Sequence, residues 1–406
     1  MIKKNNLFTK NNIQKKYLDK NFVKKLSKNI KKIFSEVIDE TNNPKKTLNV
    51  LSNEFKFNFK VKDLQKFKKF ETIAIIGMGG SILGTEAINN FLQQKIKKKI
   101  YFFDDLNIKK ILNFKKKKNL DKILFLIISK SGDTIETISN FFTLNIIKRK
   151  SKNIILISER KDNLLFSLSK KFSLFYIEHR SNIGGRYAVL SEAGIVPAYL
   201  MGINIFKLRS NIKKFLISKE KFSLQESAVK LASLLNSKKI TNLIFLNYAP
   251  EFEKFLYWCQ QLIAESLGKN GNGFLPVISS MPKDNHSLLQ LYLDGPKNKL
   301  FYIFSLEEKK KEKLNTKKFT NKNNFLHNKT LNRVKIAQKE ALIKAFNRDK
   351  IPFREFKIKA INEEVLGELF SYFILETAII GKLIKINPFN QPAVEQVKIY
   401  TKKILS

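Results

Sequence analysis

The chain has 406 residues, 43% of them hydrophobic, with 77 Lys+Arg against 35 Asp+Glu and a net charge of +42; that length and apolar content suit two or three packed domains and exclude global disorder. The surplus is mostly Lys and travels with abundant Asn, Ile and Phe and only 15 Gly and 9 Pro, a mix that AT-rich coding produces, so no specific nucleic-acid partner is expected from charge alone. A single cysteine, Cys259, excludes an intrachain disulfide and a Cys-based zinc site, and three histidines, His179, His286 and His327, leave little room for another metal centre, so no metal is expected.

The first residues, Met1 to Asn6, lack the apolar stretch of a secretory signal, which points to a cytoplasmic protein. Residues 1–50 are rich in Lys and Asn and carry Phe22, Val23, Leu26, Ile30, Ile33 and Phe34 at helical spacing, predicting an N-terminal helical segment. From Glu71 the pattern changes to short apolar runs at 72–76, 100–103, 123–128, 154–157 and 174–177, separated by stretches of helical length such as 82–96 and 133–148. None is long enough to span a bilayer, so no membrane association is expected. Continuous apolar runs mark strands covered on both faces, and their alternation with helices predicts a doubly wound, mainly parallel sheet. A second set follows: a run at 243–248, a helix over 252–267 and runs at 288–293, 300–304 and 353–358. The expected division is a helical segment at 1–50, α/β domains at 51–215 and 216–380, and a helical C-terminal segment at 381–406. Residues 307–329, charged and Asn-rich, read as an exposed insertion, and the helical pattern of 363–405 is interrupted from Asn387 to Pro392.

Chemistry concentrates in a few motifs. Ile76-Gly77-Met78-Gly79-Gly80-Ser81-Ile82-Leu83-Gly84 follows a buried strand, where glycines let backbone amides approach an anion at a helix start. Ile82 stands where a dinucleotide fingerprint needs Gly, and no P-loop lysine motif occurs. Ser129-Lys130-Ser131-Gly132-Asp133-Thr134-Ile135-Glu136 also sits at a strand end. Its hydroxyls and amides suit a phosphate dianion, although plain helix capping is the competing reading, and Asp133 must point away from an anion. Gly184-Gly185-Arg186-Tyr187 either delivers a guanidinium to a cleft or leaves it on the surface. Gln261 and Glu265 are four apart on the helix that ends at Leu267, so they share a face, and the negative end of the helix dipole strengthens Glu265 as a base. His286, in Asp284-Asn285-His286-Ser287, stands at a loop-to-helix junction suited to proton transfer. Gln391 and Lys398, seven apart, are expected to project the same way from one helix.

Together these residues resemble the phosphoglucose isomerase (glucose-6-phosphate isomerase) family, whose motifs they match in order from Gly77 to Lys398. The resemblance implies two sugar-isomerase (SIS-type) α/β domains, each a mainly parallel sheet flanked by helices, with N- and C-terminal helices. It implies an enzyme that interconverts glucose 6-phosphate and fructose 6-phosphate in glycolysis and gluconeogenesis, without cofactor. The substrate phosphate would be bound by Gly80, Ser81, Ser129, Lys130 (mainly through its backbone), Ser131 and Thr134. Glu265 matches the base that moves a proton between C2 and C1, and Arg186 the cation beside the enediolate. His286 and Lys398 match the ring-opening groups, and Gln261, Gln391 and Glu136 supporting residues of the cleft. In the family the histidine usually comes from the partner subunit, which implies a homodimer. Residues 297–386 match no family signature. A dual phosphoglucose/phosphomannose isomerase and a non-catalytic sugar-phosphate-binding regulator are the alternative readings.

Overall fold

The computed structural model describes residues 7–307, 312–319 and 324–406. Among these residues ten strands form two five-stranded sheets. The first contains β2 (Thr72–Ile76), β3 (Lys99–Phe103), β4 (Ile123–Ile128), β5 (Ile154–Ser158) and β6 (Phe175–Glu178), in the order β3-β2-β4-β5-β6 with every pair parallel. The second contains β1 (Leu7–Asn12), β7 (Asn242–Asn247), β8 (Leu275–Ser280), β9 (Lys299–Leu306) and β10 (Phe353–Ile358), in the order β1-β10-β9-β7-β8. Of these strands, β1 runs antiparallel to β10, and the other pairs are parallel.

The continuous apolar runs of the first sheet arise because successive side chains enter different cores. Ala74, Ile76, Phe125, Ile127 and Leu156 pack beneath Phe114 and Phe141 on one face. Ile73, Ile75, Leu124, Leu126 and Ile155 enter the larger core on the other, as the two-residue strand period requires. The second sheet divides likewise, with Ile244, Leu246, Phe301 and Ile303 facing Leu342 and Phe346 of helix Leu331–Arg348, and Leu243, Phe245, Tyr302 and Phe304 joining the larger core. Helix Glu363–Leu383 runs through that core and is buried almost all round. There Glu376 pairs with Arg354 of β10 at 2.8 Å, and Tyr302 and Tyr372 donate to or accept from the same pair.

Two expectations need correction. Residues 7–12, placed in a helical segment, form edge strand β1, because Leu7–Asn12 pairs in register with Phe353–Ile358 far along the chain. Residues Leu289–Leu293 are a short helix rather than a strand, and the strand beside β7 is Leu275–Ser280, where Pro276 and two serines obscure the apolar pattern. The insertion expected at 307–329 lies partly outside the described residues. Among those described, no helix is long and apolar enough to cross a membrane.

Candidate active site

In the first sheet the chain moves from β2 outward to β3, then returns to place β4 on the other side of β2. The crevice at the carboxyl ends of β2 and β4 is therefore the switch point at which open α/β sheets bind ligands. Both Gly- and Ser-rich motifs open there. Gly77 lies against the Ile128 carbonyl and against Ser81, so the two loops are side by side. Gly79 has φ +50°, and a Cβ on it would stand 2.8 Å from Gln261 Nε2. On Gly80 a Cβ would overlap the carbonyl carbon of Gly185 at 2.1 Å. These two positions need glycine because the loop after β2 is pressed against the Arg186 turn on one side and the Gln261 helix on the other.

The loop after β4 gathers three hydroxyls. Ser129 Oγ is 2.8 Å from Thr134 Oγ1, and Ser131 Oγ lies 3.5 Å and 3.4 Å from the two. Gly132 N–H donates to Ser129 Oγ at 3.1 Å, fixing the turn. Thr134 is the N-cap of helix Ile135–Leu144, yet its hydroxyl makes no capping bond. Plain capping therefore does not account for the cluster. Asp133 accepts from Leu164 N–H at 2.8 Å, so its charge is directed to the start of the next helix. Lys130 Nζ donates to the Ser181 carbonyl at 2.7 Å and sits 3.7 Å from Glu159, while burial pulls its pKa down against that carboxylate. What the loop offers a ligand from Lys130 is thus its backbone. Glu136 stands in the first turn of the same helix, half-buried.

Arg186 lies on the 3-10 turn Gly185–Leu190 and is 1% exposed, which excludes the surface reading of its motif. Nε donates to Ser266 Oγ at 2.8 Å. One terminal nitrogen donates to Glu265 at 3.0 Å and Gln391 Oε1 at 2.7 Å. The other donates to the carbonyls of Pro388 at 2.6 Å and Asn390 at 3.0 Å. All five N–H directions of the guanidinium are occupied. Gln261 Nε2 donates to the second Glu265 oxygen at 2.9 Å, as their shared helix face requires. Gln261 Oε1 is buried without a hydrogen-bond partner. Tyr187 O–H bridges Ser266 and the Pro388 carbonyl at 2.9 Å each, and burial raises its pKa. The helix bearing Glu265, Glu253–Leu267, follows β7 of the second sheet, and its Trp258 donates to the Arg186 carbonyl at 3.1 Å. The site thus forms where the two α/β units meet.

Two sequence-predicted residues stand apart from this cluster. His286 is exposed on the turn Lys283–His286, just beyond the carboxyl end of β8. Glu265 ends a helix that runs back from the carboxyl end of β7, at the opposite end of the sheet. Six residues of strand put about 17 Å between those ends at about 3.3 Å per residue. Lys398 lies on helix Ala393–Leu405, none of whose residues is buried, and pairs with Glu395 at 2.8 Å. Gln391 precedes that helix, whose N-cap is Pro392, so the expectation that Gln391 and Lys398 share a helix face is corrected: only Gln391 reaches Arg186. The sequence reading gave no role to Ser266, Tyr187, Pro388 or Asn390. Ser266 and Tyr187 were legible as neighbours of Glu265 and Arg186, whereas backbone carbonyls carry no residue-type signal.

The family model described as phosphoglucose isomerase matches residues 21–273. A probable glucose-6-phosphate isomerase of Methanococcus maripaludis is 32% identical over 83% of this chain and 78% of its own length. The glucose-6-phosphate isomerase of Methanocaldococcus jannaschii is 31% identical over 83% and 85%. Among solved structures, a hypothetical protein from Thermus thermophilus superposes with a TM-score of 0.81 at 22% identity, covering 98% of this chain and all of that one. A glucose-6-phosphate isomerase from Chlamydia trachomatis gives 0.70 at 18% identity over 85% and 72%. These two show the fold. The matched family model and the relatives' identity over most of their length show that this chain belongs to the phosphoglucose isomerase family.

Proposed function

We propose that the protein interconverts glucose 6-phosphate and fructose 6-phosphate, with Glu265 as the base that carries a proton between C2 and C1. The observation that carries this reading is the Gln261–Glu265–Arg186 cluster, set against the glycine loop of a sheet whose neighbouring strand end gathers Ser129, Ser131 and Thr134. Those hydroxyls, with Ser81, Gly80 and the Lys130 backbone, take the phosphate. Binding energy from that remote group then orients the reacting carbons. His286 and Lys398 serve ring opening by moving a proton from the C1 hydroxyl to the ring oxygen. Glu265 removes the proton from C2, so that C1=C2 forms and the C1 carbonyl oxygen becomes the enediolate oxygen; a proton passes from the C2 hydroxyl to that oxygen, and Glu265 returns its own proton to C1, leaving a hydroxyl at C1 and the ketone at C2. Gln391 and Glu136 shape the cleft.

Arg186 has no idle donor, and Glu265 is the open side of its shell, with 32% of its side chain exposed. When the carboxylate takes the substrate proton its pull on Arg186 weakens. One guanidinium N–H is thereby released as negative charge appears on the substrate oxygen. The donor is available when the charge forms, as electrostatic stabilisation requires.

The chain acts as a cytoplasmic homodimer in which His286 enters the partner's site; the opposite positions of His286 and Glu265 along the second sheet support this. A coupled assay with fructose 6-phosphate tests the reading, and absence of turnover in folded protein overturns it. Mannose 6-phosphate, assayed alongside, decides whether the enzyme is dual.

A further inference from the structure

The segment Asn387–Gln391 joins two helices and has no regular structure of its own. It is held instead by donors on two other elements. Arg186 and Tyr187, on one turn, take the carbonyls of Pro388 and Asn390. Phe389 lies against the Tyr187 ring, centroids 5.4 Å apart. From the other element, Lys269 Nζ donates to the Asn387 carbonyl at 2.5 Å. Lys269 lies just past the end of the helix that carries Glu265. The Lys269 bond therefore ties the segment bearing Gln391 to the same helix end as the proposed base.

Resting on the isomerase reading, we propose that Lys269 is a positioning residue: its ammonium holds the Asn387 carbonyl and so keeps Gln391 seated on Arg186 beside Glu265. The groups that face this ammonium are Glu265 from its own element, Arg186 from the Gly185–Leu190 turn, and only uncharged residues from 387–391. Burial and Arg186 push its pKa down to about 8, against the pull of Glu265. Below that pH the bond is charge-assisted. Above it the lysine is a neutral amine and the hold weakens, since a charged donor is roughly twice as strong as a neutral one.

The test compares full-length wild type, Lys269→Met and Lys269→Arg by steady-state kinetics with fructose 6-phosphate from pH 6.5 to 9.5. Amide exchange over residues 384–405 is followed in parallel and corrected for its intrinsic pH dependence. At pH 7, Lys269→Met is expected to lower kcat about tenfold, the worth of one charge-assisted hydrogen bond, with KM changed less. It is also expected to speed exchange at 387–391. The alkaline limb of wild-type kcat, near pH 8, disappears in Lys269→Met. In Lys269→Arg, which stays charged, it moves to higher pH with most turnover kept. Folded Lys269→Met with wild-type kcat, alkaline limb and exchange overturns the proposal. Wild type that turns over no substrate, but whose 387–391 exchange responds to pH and to Lys269→Met as expected, upholds the hold on the segment and overturns the isomerase reading beneath it.

Discussion

Glu265 and Arg186 are in contact but are expected to fail differently when replaced. Gln at 265 keeps the shape and can still meet Gln261 and Arg186, but it cannot take a proton. Glu265→Gln should therefore cut kcat by roughly 10²–10⁴-fold with little change in KM, which a coupled assay reads directly. Near-normal turnover would remove Glu265 from the role. Arg186→Lys is a different perturbation, because one ammonium cannot satisfy the acceptors that the buried fork now serves. Each buried acceptor left unpaired costs about 1–3 kcal/mol, so Arg186→Lys should lower both turnover and the thermal midpoint, whereas Glu265→Gln should spare the midpoint. A third residue reports on pH. His179 is 1% exposed, its Nδ1 lies 3.0 Å from the Arg180 carbonyl, and burial pushes its pKa from 6.5 to about 4. The unfolded chain takes up this proton first as pH falls. Stability from the neutral ring is complete above about pH 6.5 and is lost on the way down to about pH 4, by about 3 kcal/mol. Urea midpoints of His179→Gln should fall less steeply with acid over that window than those of wild type; parallel curves would contradict the assignment.

Among the elements, the loop after β2 is the most tightly constrained. With Gly185 at 2.1 Å from a Cβ on Gly80, Gly80→Ala must push the loop off the Arg186 turn. Overpacking of this kind costs about 1–3 kcal/mol. Because the displaced loop also carries Ser81, a raised KM for the sugar phosphate should accompany the lowered thermal midpoint. An unchanged KM would mean that the loop does not touch the phosphate. This loop was legible because its glycines follow Thr72–Ile76, a strand whose two faces enter two separate cores and so leave an unbroken apolar run. Strands β4, β5 and β9 were legible for the same reason, whereas β10, Phe353-Arg-Glu-Phe-Lys-Ile358, carries three charged residues among its apolar ones. The strand β8 was not, since Leu275-Pro-Val-Ile-Ser-Ser interrupts its pattern and edge strands can afford polar residues and proline. The strand β1 was invisible because its sequence is locally Lys- and Asn-rich and its partner, β10, is remote in the chain. Leu289-Gln-Leu-Tyr-Leu293 alternates like a strand yet closes a helical turn, and a five-residue window cannot separate the two periods.

The whole molecule raises the question of where a site's histidine comes from. Within one chain, Glu265 and His286 lie at opposite ends of the second sheet, held apart by β8 and by the helix Glu253–Leu267, which spans about 22 Å at 1.5 Å per residue. No rotamer closes such a gap, and both elements are packed into the core or paired in the sheet. On the proposed mechanism, a proton relay that uses both residues is assembled from two chains. Under a two-fold axis each chain gives its Glu265 to one site and its His286 to the other. Glu265→Gln and His286→Asn, each nearly inactive alone, are mixed after reversible dissociation. In the mixed dimer one site then receives both substitutions, while the other receives an intact Glu265 from one chain and an intact His286 from its partner. Random mixing makes half of the dimers mixed, so turnover should recover to about a quarter of the wild-type value. Were both residues drawn from the same chain, every site would carry one substitution or the other and mixing would restore nothing. Recovery that scales with the fraction of mixed dimers, measured by native mass spectrometry on the same samples, distinguishes shared sites from a trace of contaminating wild type.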